Sequence, residues 1–338
     1  MRELLRAGAY CPGGTDGSHS PSPDEDTFTM AATAIERAVV GFPVDPFPLG
    51  IDLLGEFPPS MEWALPAVVG APVHLLRSAA SARGLVDALH RATEGGDGAV
   101  LVVAMDGRPR FGNSGAVAFL FRESDGGPLS GAFEEVLDEG SAVEAAFSLY
   151  HAHGAGTSGT RWVGDWDAVA RSGEVPAPSS TTVGPERATE GVSQGAYVPR
   201  ARYLENLPSR WRFAAERCTG CGTVSFPTRG KCRNCGRRDA LVPVDLPRDG
   251  ALVVATTVIG AGGQPAEFDA QVEAQGPYEV VLAELAPGAR VTLQLTDAVP
   301  GQVRIGDRVD TRLRRLYAME GEWRYGRKAV PRALTAPT

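Results

Sequence analysis

The sequence has few of the residues that mark redox, secreted or membrane proteins. Among 338 residues there are five cysteines and five histidines, and aromatic residues make up 7% of the chain. No apolar run approaches the length of about eighteen residues that a membrane helix needs. The first residues, MRELLRAGAY, lack the apolar core of a signal peptide. We therefore expect a cytoplasmic protein without membrane contact, in a compartment that keeps thiols reduced.

Charge is not scarce, but its sign is unevenly distributed. Residues 1–199 carry 12 basic and 26 acidic side chains, whereas residues 200–338 carry 21 and 15, within a net charge of −8. This asymmetry predicts two domains. The basic half suits an anion such as a nucleotide phosphate, a nucleic acid or an acidic partner; the simpler interpretation is a mildly basic surface.

Four of the five cysteines stand in two Cys-x-x-Cys pairs separated by ten residues. The pairs are Cys218 with Cys221 and Cys232 with Cys235, and each is followed by a glycine, Gly222 or Gly236. Glycine lets the backbone fold over the sulfur with a positive φ. Four thiolates are the ligand set of a structural zinc site, so the pattern predicts one bound Zn²⁺ with no open position for chemistry. Two disulfides or a redox pair are the alternatives.

The first half alternates between apolar runs and helical periodicity, which predicts an α/β layer domain over residues 1–170. We predict strands at 4–10, 49–54, 73–76, 99–105 and 115–121, and helices at 29–40, 61–69 and 79–93.

Four stretches of this half resemble the N-terminal half of the thiolase superfamily, most closely its hydroxymethylglutaryl-CoA synthase-like branch. They are GAYCP at 8–12, DEDTFTMAATA at 24–34, SAASARGLVDAL at 78–89, and VLVVAMD with SGAVAFLF at 100–106 and 114–121. The resemblance implies a thiolase-like fold, with a cysteine nucleophile at the start of the helix near Ser78.

The sequence departs from this family at both catalytic positions. It has no cysteine at Arg77–Ser81, and after Asp167 there is no room for the second repeat that supplies the other catalytic residues. We interpret the fifth cysteine, Cys11, as an incidental thiol. The first domain is therefore predicted to be truncated and catalytically degenerate. A serine nucleophile, Ser78 with His74 as its base, is the alternative; serines at helix starts are more often structural.

Residues 171–199 are rich in Ser, Thr, Gly and Pro without periodicity, which predicts a flexible linker. Residues 200–240 are predicted to form one or two short helices and the zinc ribbon. Residues 241–330 show β-branched alternation that predicts a five-stranded OB barrel. Its predicted strands are 241–244, 251–259, 278–285, 290–295 and 308–317. The fold class is thus α/β plus all-β.

Helix, Cys₄ ribbon and barrel in this order resemble a widespread family of acyl-CoA-associated domains that accompany thiolase-like enzymes. The resemblance is carried by RCTGCGTVSFPTRGKCRNCG at 217–236, GPYEVVLAEL at 276–285 and IGDRVDTRL at 305–313. It implies a protein that binds a thiolase or a hydroxymethylglutaryl-CoA synthase-like enzyme, in a hetero-oligomer that acts on acyl-CoA or acyl-carrier substrates. Steroid side-chain degradation and polyketide pathways are the settings that it implies.

An aromatic and basic cluster near the end of the chain is a candidate ligand site. Its members are Trp323, Arg324, Tyr325 and Arg327. They can stack an adenine and meet the phosphates of CoA or RNA, or they can simply cover the open end of the barrel.

These observations favour a non-catalytic auxiliary subunit that docks onto a thiolase or ketosynthase-like enzyme. One alternative is a self-sufficient acyltransferase or aldolase that uses Ser78. The other is a nucleic-acid-binding OB-fold regulator. Strands 251–295 disfavour the regulator, because they contain Tyr278 as their only aromatic residue and mix Glu279 and Glu284 with few basic residues.

Overall fold

The computed structural model describes residues 2–10, 24–39, 49–55, 61–94, 98–106, 115–123, 142–143, 145–146, 149, 161–164, 198–319 and 322–332. The chain forms two compact units, residues 1–182 and 183–338. Cys11 lies outside the described residues, as does the predicted linker except for 198–199, and the predicted domain limits stay a prediction. Among the described helices, none is both long enough and apolar enough to cross a membrane.

The first unit is built on one mixed six-stranded sheet. Its strands are β1 (Arg2–Tyr10), β2 (Leu49–Leu54), β3 (Val73–Ser78), β4 (Val100–Asp106), β5 (Gly115–Glu123) and β6 (Arg161–Gly164). Their order is β3-β2-β4-β5-β1-β6. Strands β3, β2 and β4 run parallel, β5 runs antiparallel to β4 and β1, and β6 runs parallel to β1. The predicted α/β layer is confirmed.

Helix α1 (Thr27–Val39) is buried over most of its surface and packs against this sheet. Its start is fixed by a reciprocal cap, in which the Thr29 N–H donates to Asp26 Oδ1 and the Asp26 N–H donates to Thr29 Oγ1, each at 2.9 Å. Gly8 on β1 lets the helix approach closely, since a Cβ there would collide with the backbone of Ala34 and Ala38. Asp26, in the acidic stretch DEDTFTMAATA, therefore serves as the N-cap of α1.

Helices α2 (Met61–Val69) and α3 (Ala82–Thr93) complete the strand–helix–strand crossovers from β2 to β4. Ser81 caps α3 by accepting a hydrogen bond from the Gly84 N–H at 3.1 Å. The predicted start at residue 79 is therefore three residues too early. Apolar side chains of α3 pack on β4 and β5 in one core; they include Leu85, Ala88, Leu89 and Ala92.

The second unit begins with two short helices and a three-stranded sheet. Helices α4 (Arg200–Glu205) and α5 (Leu207–Trp211) precede β7 (Ala214–Cys218), β8 (Val224–Ser225) and β9 (Leu241–Asp245). The sheet order is β8-β7-β9, and both pairs are antiparallel. This small sheet carries the two Cys-x-x-Cys pairs.

A five-stranded antiparallel sheet forms the rest of this unit. Its strands are β10 (Ala251–Ile259), β11 (Tyr278–Ala286), β12 (Ala289–Gln294), β13 (Arg308–Met319) and β14 (Glu322–Pro331). Their order is β12-β11-β10-β13-β14. A 3-10 turn (Ala266–Phe268) and helix α6 (Asp269–Gln275) lie between β10 and β11 in the chain.

The predicted set of barrel strands needs one correction. The strand predicted at 241–244 belongs to the ribbon, because β9 pairs with β7 from Cys218 opposite Leu241 to Ala214 opposite Asp245. Its place in the larger sheet is taken by β14, which was not predicted. Arginine and lysine side chains interrupt the sequence of β14, EWRYGRKAVP, and they conceal its strand character.

The two edge strands of the larger sheet meet without forming a continuous ladder. Among the described residues they share one isolated parallel bridge between Leu295 and Ala329. The Thr296 N–H next to it donates to the Ala329 carbonyl at 2.8 Å. The five strands thus form an all-β sheet with touching edges, and a closed OB barrel is not established.

Candidate metal centre

The two Cys-x-x-Cys turns have the same backbone geometry. In the first, the Gly222 N–H donates to the Cys218 carbonyl at 2.8 Å and the Cys218 N–H donates to the Thr223 carbonyl at 2.9 Å. In the second, Gly236 and Arg237 make the equivalent bonds with Cys232, at 3.0 and 2.8 Å. The two glycines have φ values of 74° and 73°, with open space around both. Conformation, not crowding, therefore requires glycine at these positions.

The turns bring all four thiols to one point. The sulfur atoms lie within 4.8 Å of one another, with Cys218 and Cys235 at 3.6 Å and Cys221 and Cys232 at 3.5 Å. Tetrahedral zinc with bonds of about 2.3 Å places its sulfurs about 3.8 Å apart, so the spacing fits this ion. The four cysteines are free thiols, and the alternative of two disulfides finds no support here.

Within this cluster the pKa values of the thiols are shifted in opposite directions. Hydrogen bonding with the Thr223 hydroxyl and backbone lowers the pKa of Cys221 to about 6. Although the Arg237 N–H opposes the change, hydrogen bonding to Cys232 raises the pKa of Cys235 to about 11. Four sulfurs this close cannot all ionise alone, and a divalent cation removes their repulsion. All four coordination positions are filled by protein, so such an ion would hold structure and leave no open place for substrate.

Ser78 and His74, the candidate nucleophile and base, are not brought together. Ser78 ends β3 and lies outside α3, and its hydroxyl accepts a hydrogen bond from Arg91 Nη2 at 2.5 Å. The same nitrogen donates to Asp52 Oδ2 at 2.7 Å. His74 lies four residues earlier on the same strand, which at the rise of a strand separates the two Cα atoms by about 13 Å. The described structure thus offers Ser78 a guanidinium and no imidazole.

The candidate ligand cluster of residues 323–327 lies on β14, where Tyr325 is held by the two short helices. The Tyr325 N–H donates to the Tyr203 hydroxyl at 2.9 Å, and that hydroxyl donates to the Tyr325 carbonyl at 3.0 Å. Trp211 Nε1 donates to the same carbonyl at 3.0 Å. The ring of Tyr325 meets the ring of Trp211 edge to face. These contacts assign Tyr325 to the packing of the helices on the sheet.

The other members of the cluster also have intramolecular contacts. Arg324 is buried with its guanidinium 5.0 Å from the ring centre of Tyr203. Arg327 is buried and donates to the Trp211 carbonyl. Trp323 is half-buried under an arginine of β13. Contact of these residues with CoA stays a prediction.

Comparison with known proteins agrees with this geometry. Residues 210–242, which include both turns, match the family described as "ChsH2, rubredoxin-like zinc ribbon domain". A "DUF35 domain-containing scaffold protein" of Methanocaldococcus jannaschii is 33% identical over 132 residues, which cover 38% of this chain and 89% of the relative. This chain belongs to the DUF35 domain family.

Solved structures give more distant likenesses. The DUF35 chain is similar to a chain of "Ltp2-ChsH2(DUF35) aldolase", with 24% identity, a TM-score of 0.30, and coverage of 40% of this chain and 98% of that one. It is also similar to "MvaS in complex with 3-hydroxy-3-methylglutaryl coenzyme A", with 19% identity, a TM-score of 0.30, and coverage of 36% and 40%.

Sequence reasoning missed two polar side chains buried in the larger sheet of this DUF35 chain. Glu279 of β11 accepts hydrogen bonds from the Thr256 hydroxyl and, at 2.8 Å, from the Gly301 N–H. Gln294 of β12 is also buried. Polar residues at single positions of a strand give no periodic signal, so the sequence alone placed neither of them inside the fold.

Proposed function

We propose that this chain is a non-catalytic auxiliary subunit that docks onto a thiolase or ketosynthase-like enzyme. It would support carbon–carbon bond formation or cleavage, or acyl transfer, on acyl-CoA or acyl-carrier thioesters. The observation that carries the proposal is the match to an archaeal scaffold protein along 89% of that relative's length. A scaffold acts by holding other proteins, so the shared domain has a binding role. The class of enzyme follows from the sequence resemblance of the first unit to thiolases.

The surroundings of Ser78 support a non-catalytic role for this chain. A serine nucleophile needs a base within hydrogen-bond reach to take its proton. The hydroxyl of Ser78 instead meets the guanidinium of Arg91, which is permanently charged and cannot accept a proton. The resemblance to thiolases places the cysteine of active members at this point of the chain, so the reactive thiol would come from the partner.

The edge strand β3 supplies a surface for docking. It is the outermost strand of its sheet, paired with β2 on one side only among the described residues. Its side chains are half-buried or exposed, and Leu76 is 59% exposed. An edge of this kind pairs readily with the strand of another protein. We propose that a thiolase-like protomer adds its own sheet edge here.

The second unit is proposed to be a rigid module stabilised by zinc. Cys218, Cys221, Cys232 and Cys235 would hold Zn²⁺ as a closed Cys₄ site, and the ion would fix the two turns relative to β7 and β9. The bridge from Leu295 to Ala329 supports closure of the larger sheet as an OB-type barrel.

Affinity capture of the full chain from its host, with mass spectrometry and zinc analysis, tests the proposal. We expect a thiolase or ketosynthase with an intact catalytic cysteine, in nearly equal amount with the bait. Recovery of the zinc-loaded chain alone, together with turnover of acyl-CoA by that chain, would refute the auxiliary role.

The docking edge is tested with two matched substitutions of exposed apolar residues. Leu76→Lys places a charge at the proposed interface, where burial without a counter-charge is costly, so the affinity for the captured enzyme should fall at least about tenfold. Val299→Lys is the control, because Val299 is similarly exposed, at 65%, but lies in the second unit. Equal affinities of the two variants, measured by surface plasmon resonance, would exclude β3 as the docking edge.

A further inference from the structure

A third glycine of the ribbon, Gly220, marks a close approach between the two Cys-x-x-Cys turns. Gly222 and Gly236 have positive φ values, whereas Gly220 does not. The turn itself does not demand a glycine at this position, because the second turn has Asn234 there, exposed to solvent. The reason for the glycine therefore lies in the space around it.

That space is occupied by the side chain of Arg237, which follows the second turn. A Cβ atom at Gly220 would lie 3.2 Å from Arg237 Nη1 and 3.5 Å from Arg237 Cδ. The carbonyl of Arg237 closes the second turn, since it accepts a hydrogen bond from the Cys232 N–H at 2.8 Å. Arg237 thus belongs to the second turn through its backbone and lies on the first turn through its side chain.

The guanidinium of Arg237 is held in its orientation by Asp239. Its Nε donates to Asp239 Oδ1 at 3.2 Å, and its Nη2 donates to Asp239 Oδ2 at 2.9 Å. A contact at two points fixes the plane of a guanidinium. The remaining nitrogen, Nη1, is the one that lies over Gly220. The carboxylate therefore leaves Nη1 to the first turn.

Arg237 Nη1 is also close to the sulfur atoms of the candidate metal centre. The same Cβ position at Gly220 is 3.7 Å from Cys218 Sγ. Nη1 and this sulfur therefore cannot be further apart than about 7 Å, the sum of their two distances from that position. Cys235 Sγ lies 3.6 Å from Cys218 Sγ. A fixed cation thus lies beside the sulfur cluster.

The sulfur cluster would be anionic with a metal bound. Four thiolates and one Zn²⁺ carry a net charge of −2, and two of the four ligands, Cys221 and Cys235, are exposed. We infer that Arg237 is the counter-charge of the metal centre. It stabilises the anionic zinc–thiolate complex relative to the metal-free thiols and so raises the affinity of the chain for zinc. This inference rests on the proposed function, which includes the Cys₄ zinc site.

The expected effect of this counter-charge is moderate and depends on salt. The side chain of Arg237 is 53% exposed, so water and salt screen part of its field. At an ionic strength of about 0.01 M the Debye length is about 30 Å, and the attraction should raise the zinc affinity about fivefold. At about 1 M the Debye length is about 3 Å, and less than about a twofold gain should remain.

Competition between the full chain and a zinc chelator, at both ionic strengths, tests the inference. Arg237→Gln should bind zinc about fivefold more weakly than the wild type at low salt, and the difference should nearly vanish at high salt. Arg237→Lys keeps the charge and should stay within about twofold of the wild type. Arg238→Gln is the matched control and should also stay within about twofold. Arg238 is the next residue, is exposed, and has no hydrogen bond or ion pair among the described residues. The absorption bands of bound Co²⁺, which report on thiolate coordination, should be the same in all four proteins.

Four results overturn the inference. They are equal zinc affinities of Arg237→Gln and Arg238→Gln at low salt, a loss in Arg237→Gln that persists at high salt, an Arg237→Lys variant as weak as Arg237→Gln, and altered Co²⁺ bands in Arg237→Gln. The last would make the arginine a structural part of the turns. In each of these cases the chain still binds metal, so the proposed metal centre stands. Absence of zinc binding by the wild type would instead refute the metal centre and the inference together. The docking proposal is tested separately through Leu76.

Discussion

Removal of one hydroxyl, in Tyr203→Phe, tests how the short helices are fixed to β14. The Tyr203 hydroxyl both accepts from the Tyr325 N–H and donates to the Tyr325 carbonyl. The pairing of β13 with β14 is irregular at this point, because the register shifts between Arg315 and Tyr317. Arg315 is the partner of Tyr325, so the hydroxyl bonds Tyr325 beside this irregularity. The substitution keeps the ring and its contacts and removes these two hydrogen bonds.

The two hydrogen bonds are expected to contribute unequally to the free energy of unfolding. The Tyr325 carbonyl keeps Trp211 Nε1 as a donor, so loss of the second donor there costs little. The Tyr325 N–H loses the hydroxyl as acceptor in a buried place, which costs about 1–3 kcal/mol. We therefore expect Tyr203→Phe to lower the free energy of unfolding of the second unit by about 2 kcal/mol at pH 7, a value taken from the middle of that range.

The difference should shrink in alkali. Burial raises the pKa of Tyr203 well above its usual range. An acid with a raised pKa in the folded state contributes stability fully below the unfolded pKa, near 10, and loses it as the pH rises further. Between pH 10 and 11 the wild type should lose up to about 1.4 kcal/mol that the phenylalanine variant does not lose. The two stabilities should therefore converge as the pH approaches 11.

Urea unfolding followed by fluorescence of the buried Trp211 measures both effects. Tyr317→Phe is the control at pH 7, because Tyr317 of β13 is half-buried in the same unit and its hydroxyl makes no hydrogen bond among the described residues. The control should leave the midpoint unchanged. A Tyr203→Phe loss below about 0.5 kcal/mol, outside the range for an unmet buried donor, would refute the reasoning. So would a difference between Tyr203→Phe and the wild type that stays constant from pH 7 to pH 11.

Three further predictions concern the metal, a buried carboxylate and the candidate nucleophile. Cys232→Ser should lose bound zinc and unfold the ribbon, whereas Cys11→Ser should retain about one zinc per chain by elemental analysis; equal zinc contents would contradict the Cys₄ site. Glu279→Gln should lower stability by about 1–3 kcal/mol in urea unfolding, because the new amide nitrogen cannot accept a hydrogen bond and one of the two donors loses its acceptor; the exposed Glu273→Gln should not, and equal effects would contradict this account. Ser78→Ala should leave the rate of the reconstituted complex within about twofold of the wild type; a loss of several orders of magnitude would make Ser78 a nucleophile.

The sequence predicted best those features that depend on neighbours along the chain. The two Cys-x-x-Cys turns are local, since each closes through hydrogen bonds within six residues and needs only a glycine at the fourth position after its first cysteine. The acidic start of α1 is local for the same reason. Both were therefore visible as spacing. The bounds of β2, α2 and β10 were also predicted correctly, because each is a mostly apolar or β-branched segment.

Features that depend on distant partners were not visible in the sequence. Strand β14 was interpreted as a ligand cluster because its sequence, EWRYGRKAVP, mixes rings and cations. Burial of these cations is possible only with partners from elsewhere in the chain, such as the ring of Tyr203 and the Trp211 carbonyl. Conversely, β9 alternates like any strand, and only its pairing with β7 assigns it to the ribbon. Alternation predicts a strand without indicating which sheet contains it.

The contacts of Arg233 connect the candidate metal centre to the larger sheet. This residue follows Cys232 directly, and its Nη1 donates to the Gly288 carbonyl at 2.6 Å, in the turn between β11 and β12. Gly288 has a φ of 73°, and a side chain there would collide with the arginine. Phe226 of the ribbon also packs on the core of the larger sheet. Because the second turn would be held by the bound ion and also holds the β11–β12 turn, removal of zinc should loosen both sheets of the second unit together.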